Sequence, residues 1–266
     1  MAIVLAACCL LSACWRGGAA AAAVDCPPMA GVPDAPLLLF GEVHGSREAP
    51  VLVGAVACAA SEARAVAVGL EMPSRDQPLL DSFMASTGAA GDVQALLASE
   101  FWQRGRDGRS SRAMLELIED LRALKQAGRP VDLFAFDDQP GTGLERNAAI
   151  ANGVRRFREA HPDTRIVALM GNLHATQESI WSGGNRLTTS AILLADLQPV
   201  SVRITHPGGT VWACMPTCGI HALPPSSGET APGFHADAAP GGDSRTYRLP
   251  SLTASPPAAE QKKPAP

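Results

Sequence analysis

Four short apolar runs recur along the chain, at residues 37–40, 65–70, 131–136 and 166–170. Their length and composition are typical of strands that are buried on both faces of a parallel sheet. Amphipathic stretches with a helical repeat lie between the runs, and residues 112–126 form the clearest of these. The alternation predicts an α/β fold, a mainly parallel sheet flanked by helices.

The pattern changes towards the end of the chain. Residues 198–205 alternate apolar and polar positions, Gly208-Gly209 predicts a tight turn, and residues 210–214 follow as a second strand. We therefore expect the sheet to finish with an antiparallel hairpin, which closes one α/β domain at residues 35–223.

The last part of the chain, residues 224–266, contains nine of the 22 prolines, with Ser, Gly and Ala between them. Such a composition is typical of a linker that buries too little apolar surface to become ordered. One edge strand is predicted within this tail, near residues 245–249.

Polar residues follow each of the four apolar runs. Glu42 and His44 follow the first run, Glu71 the second, Asp137 the third and His174 the fourth. Ligands of open α/β sheets bind outside the carboxyl ends of the strands. A carboxylate at the end of a buried strand is costly unless it is paired, solvated or bound to a cation. Each histidine alone is most simply explained by a hydrogen bond to the backbone, but the repeated Gly-x-x-His arrangement favours one shared polar site.

The ordered set of motifs resembles a known superfamily. Gly-Glu-x-His at residues 41–44, Glu71-Met72, Arg146-Asn147 and Gly-Asn-x-His at residues 171–174 are similar to motifs of the ChaN, Tiki and erythromycin-esterase group. ChaN-like members are bacterial lipoproteins implicated in haem or iron handling, Tiki-like members are described as metal-dependent proteases, and the esterases hydrolyse a macrolide ring. Because function diverges within the group, the resemblance implies the fold better than the reaction.

The first function that these residues and the resemblance imply is hydrolysis of a peptide, ester or lactone bond. Glu42, His44 and His174 would bind one divalent ion (Mn²⁺, Co²⁺ or Zn²⁺) and leave an open position for water. Without a metal, His44 would act as a base on water, oriented by Glu42 or Glu71. No Gly-x-Ser-x-Gly motif is present in the sequence, so we expect no acyl-enzyme serine mechanism.

Four further residues are candidates for substrate binding: Arg146, Asn147, Asp137 and Arg109. Arg146 would stabilise a developing oxyanion or hold a substrate carboxylate. Arg109 lies in a polar loop, residues 101–111, that leads into a helix N-terminus and that would bind an anionic group. The alternative for this loop is a solvated segment whose arginines contact nothing.

The second function, implied by the resemblance to ChaN, is non-covalent haem or iron binding. The sequence contains no Cys-x-x-Cys-His attachment motif, and Tyr247 is its only tyrosine, so a histidine would serve as the axial ligand. A catalytically silent scaffold is the third alternative, and it predicts that the Glu and His positions tolerate alanine.

The N-terminus predicts export. Residues 3–11 are apolar but shorter than the roughly 20 residues that cross a bilayer, and the following Leu-Ser-Ala-Cys matches a lipobox. We therefore expect a signal peptide at residues 1–13, lipidation at Cys14 and a tether at residues 14–34. The anchor would hold the protein on the periplasmic face of a bacterial membrane, with the outer membrane favoured. No Lys or Arg precedes the apolar run, and cleavage within residues 19–23 is the alternative.

Cysteine usage agrees with an oxidising compartment. Cys26, Cys58, Cys214 and Cys218 remain after the predicted signal peptide and lipidation site, and four is an even number. The spacing favours Cys26–Cys58 and Cys214–Cys218 disulfides, although four cysteines allow three pairings. A zinc half-site at the second pair and a free, buried Cys58 are the alternatives.

The charge of the chain argues against one class of binding partner. A net charge of −4 argues against a nucleic-acid partner, because such proteins usually carry a basic patch. The expected partners are a small-molecule or peptide substrate and, through the lipid anchor, a membrane.

Overall fold

The structure is a computed structural model that describes residues 24–105, 107–138, 144–182, 184–228, 231–236 and 244–259. Its strands are β1 (Leu37–Glu42), β2 (Val66–Pro73), β3 (Val131–Asp137), β4 (Arg165–Gly171), β5 (Ile180–Ser182), β6 (Asn185–Leu187), β7 (Val200–Thr205), β8 (Gly209–Cys214), β9 (Cys218–Leu223), β10 (Gly233–Ala236) and β11 (Ser244–Arg248). Its helices are α1 (Glu48–Ala60), α2 (Gln77–Ala85), α3 (Ala90–Leu97), α4 (Glu100–Arg104), α5 (Arg112–Gln126), α6 (Leu144–Ala160), α7 (Asn172–Ala175) and α8 (Ser190–Leu193).

The main sheet has seven strands in the order β10-β11-β7-β1-β4-β2-β3. Every neighbouring pair is parallel except β10 and β11, which form an antiparallel pair at one edge. The prediction of a mainly parallel sheet flanked by helices is confirmed.

Strand β1 shows why the sheet strands are continuously apolar. Leu38 and Phe40 pack into the core that contains residues of α1 and α5, whereas Leu37 and Leu39 pack into the core that contains residues of α6 and α8. All four side chains are fully buried. Because successive side chains of a strand point to opposite faces, a sheet covered on both sides requires apolar residues at every position.

The predicted strand at residues 210–214 is present as β8, but Gly208-Gly209 does not join it to β7 in the predicted hairpin. Strand β7 pairs with β1 and β11, so neither of its edges is open to the strand that follows. Strand β8 pairs instead with β9 in a separate two-stranded antiparallel sheet, and the amide of Trp212 donates to the carbonyl of Gly45 beside the main sheet. The antiparallel hairpin therefore exists, but outside the main sheet.

The prediction of a linker after residue 223 is also wrong for the described residues. Strand β11 lies inside the sheet, between β7 and β10, so β10 and not β11 is the edge strand. Leu249, Leu252 and Ala259 are buried, and Ala254 forms an isolated β-bridge with Ser46. The prolines of this segment separate short pieces that each contribute apolar side chains to the core, which composition alone does not reveal.

The described part of the predicted tether packs against the domain. Val24, Cys26 and Met29 contact the core, so the ordered domain begins before residue 35. The signal peptide, Cys14 and the first part of the tether lie outside the described residues. Over the ranges that the structure describes, no helix is both long and apolar enough to span a membrane.

Both predicted disulfides are present, Cys26–Cys58 and Cys214–Cys218. The first attaches the N-terminal segment to α1, and the second closes the tip of the β8–β9 hairpin. A free Cys58 and a zinc half-site at the second pair are therefore wrong.

Candidate active site

Glu71 lies at the centre of the polar groups at the carboxyl edge of the sheet. The pairing of β2 with β3 is irregular between Leu70 and Pro73, where Glu71 lies, and its side chain is only 4% exposed. Its Oε2 accepts the amide N–H of Gly171, at the end of β4, at 2.8 Å. An irregularity of this kind redirects a side chain, and here it turns a carboxylate along the edge of the sheet.

His44 follows β1 and lies between two carboxylates. Its Nδ1 is 3.0 Å from Oε1 of the buried Glu42, and its Nε2 is 3.6 Å from Oε2 of Glu71. The other oxygen of Glu42, Oε2, is buried and has no hydrogen-bond partner among the described residues. Glu42 therefore orients the imidazole and directs Nε2 towards the centre of the site.

His174 lies on the short helix α7 and is oriented from behind by Asn147. The amide N–H of Ser190 donates to Oδ1 of Asn147 at 2.9 Å, which identifies this atom as the carbonyl oxygen of the side chain. His174 Nδ1 lies 2.9 Å from the same oxygen and must therefore be the donor. In the neutral imidazole the lone pair is then on Nε2, 3.9 Å from Oε1 of Glu71.

The two imidazoles therefore face one carboxylate. Both Nε2–Oε distances exceed a normal hydrogen bond. Within the ranges that the structure describes, neither Nε2 atom has a hydrogen-bond partner. Their side chains are 21% and 17% exposed, so a small molecule can reach them. Glu42, His44, Glu71 and His174 lie together, as the sequence predicted from three separate strand ends.

The environments of the two histidines shift their pKa values in opposite directions. Burial lowers the pKa of His44, but the carboxylates of Glu71 and Glu42 outweigh this effect, so the pKa of His44 lies above its ordinary value. Burial also lowers the pKa of His174, and Arg146 and His44 add to the effect, so the pKa of His174 lies below its ordinary value despite the nearby Glu71. Such a divergence is typical of an acid and a base that act as a pair.

The two glutamates also differ. Burial raises the pKa of Glu71, but His44, His174 and the neighbouring guanidinium groups more than offset it, and the net pKa is lowered. Burial raises the pKa of Glu42 above its ordinary value, and the hydrogen bond to His44 offsets this only in part. Glu71 is therefore the carboxylate that remains ionised over the wider pH range.

Arg109 and Arg146 bind the carboxylates of the protein itself. Nη1 of Arg109 donates to Glu71 and Asp137 at 3.3 and 2.9 Å, and Nη2 of Arg146 donates to the same two groups at 2.5 and 2.7 Å. Two cations and two anions thus form one compact network, which compensates the cost of burying each charge. The two arginines and Asp137 also line a cavity of about 410 Å³, where they can still contact a substrate.

A metal ion does not fit this arrangement. No group of three or more His, Cys, Asp or Glu side chains in the described ranges could hold a metal. Of the predicted ligands, Oε1 of Glu42 is already bound to Nδ1 of His44, which leaves only Nε2 of each histidine as a ligand atom. The two guanidinium groups on Glu71 would also repel a divalent cation.

Haem does not fit at the histidines either. The adjoining cavity is lined mainly by charged side chains, among them Arg75, Glu100, Asp107 and Asp138. A macrocycle that is largely apolar requires an apolar cavity beside its axial ligand. The charged lining favours a polar substrate group.

Sequence reasoning missed several residues that position the site. Asp107 accepts from Nη2 of Arg109 at 2.6 Å, and Ser190 contacts Asn147 from 43 residues away. The role of Asp107 could have been predicted from the sequence, because Asp107 precedes Arg109 by two residues in a polar loop. Nothing in the sequence connects Ser190 with Asn147, and the predicted substrate-binding role of Asn147 becomes a positioning role, because this side chain is buried and supports His174.

Two glycines allow the close approaches in the site. A Cβ atom on Gly171 would lie 3.1 Å from Nε2 of His44, in the space that a substrate would use. Gly108 has a φ of +92°, and a Cβ there would lie 2.4 Å from the backbone nitrogen of Gly45. The loop that carries Arg109 therefore packs directly on the loop that carries His44.

Comparisons with known proteins agree with this fold. No protein-family profile matches the chain, and no curated protein sequence matches it. Among solved structures, a mutant erythromycin esterase, EreC, in its open conformation has a TM-score of 0.57 at 14% identity, over 84% of this chain and 87% of its own. A succinoglycan biosynthesis protein has a TM-score of 0.53 at 11% identity, over 72% of each chain.

A third solved structure shows cofacial haem binding to ChaN of Campylobacter jejuni. It matches at a TM-score of 0.37 and 13% identity, over 64% of this chain and 82% of its own. The chain shares its α/β fold with the solved erythromycin esterase and the succinoglycan biosynthesis protein.

Proposed function

We propose that this protein is a metal-independent hydrolase of an ester, lactone or peptide bond, with His174 as general base and His44 as general acid. The observation that carries the proposal is the pair of imidazoles that face Glu71 with pKa values shifted apart. The environments in an active site commonly shift the pKa values of an acid and a base apart in this way. The shared fold with a solved esterase supports the proposal at the level of architecture alone.

The proposed reaction is a direct attack by water. Nε2 of neutral His174 takes a proton from water as the oxygen bonds to the carbonyl carbon of the substrate. The bond from that carbon to the leaving oxygen or nitrogen then breaks, and Nε2–H of His44 gives its proton to the leaving atom. Glu71 stabilises whichever imidazole is charged. At the end of the cycle His174 releases its proton to solvent and His44 takes one up from solvent, which restores both protonation states.

The mouth of the site suggests a substrate with both polar and apolar parts. Val43 and Leu173 each precede one of the two histidines in the chain, and they are 36% and 62% exposed. Arg109, Arg146 and Asp137 line the adjoining polar cavity. An ester or lactone with an apolar body and a hydroxyl-bearing or charged substituent would contact both surfaces.

The test is a hydrolysis screen of esters, lactones and peptides with the full chain, in the presence and absence of EDTA. We expect turnover that EDTA does not reduce and that added Mn²⁺, Co²⁺ or Zn²⁺ does not increase. Activity that EDTA abolishes and one of these ions restores would show that the metal-dependent alternative is correct. Absence of turnover over the whole screen would count against the hydrolase.

We also propose that the protein is exported and anchored through a lipid on Cys14, on the strength of the lipobox and the two disulfides. In a bacterial host, Cys14→Ser should move the protein from the membrane fraction to the soluble periplasmic fraction. Cys9→Ser is the matched control and should leave the protein in the membrane. If the Cys14→Ser protein stays membrane-bound, the anchor is not at this residue.

A further inference from the structure

Residues 252–259, which we call the C-terminal strap, lie across the loop that carries His44. The amide N–H of Arg47, three residues after His44, donates to the carbonyl of Thr253 at 2.9 Å. Apolar side chains at both ends of the strap are buried in the core, so the strap is held by the fold on either side of this contact. The strap therefore fixes the far end of the His44 loop.

The strap also closes the start of α5, directly after the loop that carries Arg109. The amide N–H of Arg112 donates to the carbonyl of Pro256 at 2.7 Å, and the amide N–H of Ala258 donates to the carbonyl of Ser110 at 2.9 Å. The first amide groups of a helix have no acceptor within the helix, so outside acceptors hold a helix start in place. The Arg109 loop is thus fixed by the same strap as the His44 loop.

Ser255 is the point at which the two loops meet on the strap. Its amide N–H donates to the carbonyl of Gly45 at 2.8 Å, and its Oγ accepts the amide N–H of Ala113 at 2.9 Å. The carbonyl of Gly45 also accepts the amide N–H of Trp212 at 3.0 Å, so both lone pairs of this oxygen are used. Ser255 is only 5% exposed, and these bonds are therefore shielded from water.

The two loops bring their side chains to one carboxylate. Nε2 of His44 lies 3.6 Å from Oε2 of Glu71, and Nη1 of Arg109 donates to Oε1 of Glu71 at 3.3 Å. His44 directly precedes Gly45, and Arg109 directly precedes Ser110, so each side chain is adjacent to a residue that the strap holds. A misplacement of about 1 Å in an active site can cost about 10²-fold in rate. The spacing of the two loops therefore bears directly on catalysis.

We propose that Ser255 is a positioning residue that sets the spacing of His44 and Arg109 in the site. The proposal rests on the proposed function, because it gives the strap a role in that reaction. Ser255 acts through the two loops rather than on the substrate. His174 is oriented from another direction, since its Nδ1 donates to Asn147. The strap thus controls the acid of the pair and leaves the base in place.

Ser255→Ala in the full chain tests the role in catalysis, because it removes the acceptor for Ala113 and keeps the backbone bond to Gly45. On any ester that the parent hydrolyses, we expect kcat/KM to fall at least about tenfold. Ser255→Thr, which keeps a hydroxyl, should restore kcat/KM. Ser251→Ala is the matched control: Ser251 lies in the same part of the chain, is exposed, and donates to Glu48 at 3.3 Å, so kcat/KM should not change.

An NMR measurement on ¹⁵N-labelled protein separates positioning from a loss of stability. In Ser255→Ala, the Nε–H signal of Arg109 and the ring signals of His44 should shift, whereas His174 should keep its proton on Nδ1. Unchanged signals of His44 and Arg109, or a change in all three residues with loss of the parental circular dichroism, would overturn the proposal. If the parent hydrolyses nothing, the hydrolase fails, and the NMR result still decides whether Ser255 positions the loops.

Hydrogen exchange of the parent protein provides a second test if Ser255→Ala does not fold. The amides of Ser255, Ala113 and Arg47 all donate across the contacts of the strap. Because release of the strap would free all three together, they should have similar protection factors. Protection factors that differ by more than about 10²-fold would show that the strap does not hold the two loops as one unit, and would overturn the proposal.

Discussion

Replacing Glu71 with glutamine should lower the free energy of unfolding by about 3–5 kcal/mol, the cost of leaving buried charges without their partner. The carboxylate of Glu71 lies against two guanidinium groups and two imidazoles, and its side chain is 4% exposed. In the variant, the carboxylate of Glu71 would no longer compensate Arg109 and Arg146, although Asp137 would still contact both and Asp107 would still contact Arg109. Urea unfolding measures the change, because urea does not screen charges as guanidinium chloride does.

A solvent-exposed carboxylate with similar partners provides the control. Glu100 pairs with Arg104 at 2.9 Å and Arg75 at 3.7 Å, but its side chain is 58% exposed. Glu100→Gln should therefore change the stability by less than about 1 kcal/mol. If Glu71→Gln costs no more than Glu100→Gln, the network around Glu71 does not stabilise the fold.

His174→Ala should lower kcat on any ester that the parent hydrolyses by about 10²–10⁴-fold, the usual contribution of a general base. KM should change little, because His174 acts on water rather than on the body of the substrate. His221→Ala is the control: Nε2–H of this histidine donates to the carbonyl of Thr217 in the β8–β9 hairpin, and its loss should leave kcat unchanged. A His174→Ala protein with parental kcat would remove His174 from the mechanism.

The positions of Glu42, His44, Glu71 and His174 were predictable because each of these residues follows an apolar run. Parallel strands bring their carboxyl ends to one edge, so Glu42, Glu71 and Asp137 had to meet once the strands were recognised. His174 follows β4 by three residues and belongs to the same edge. Strand recognition was therefore enough to place the components of the site, although it does not determine their contacts.

Strand recognition could not predict that Arg109 and Arg146, interpreted from the sequence as substrate ligands, also pair with carboxylates of the protein itself. Both arginines come from segments far from Glu71 along the chain, and their pairing depends on the loop geometry at Gly108 and on the start of α6. The order of the C-terminal tail could not be predicted from the sequence either, because its composition is typical of a linker. Its apolar residues are few, but Leu249 and Leu252 are buried, and local composition does not report which surface is available to cover them.

The central claim is that His44 and His174 form an acid–base pair with divergent pKa values, and NMR titration of ¹⁵N-labelled histidine side chains in the full chain tests it without a substrate. The account predicts that His44 titrates above its ordinary value of 6.5, so that it is mostly charged at that pH. It predicts that His174 titrates below 6.5 and is mostly neutral at that pH, with its proton on Nδ1. A titration in which His174 has the higher pKa of the two would contradict the assignment of base and acid.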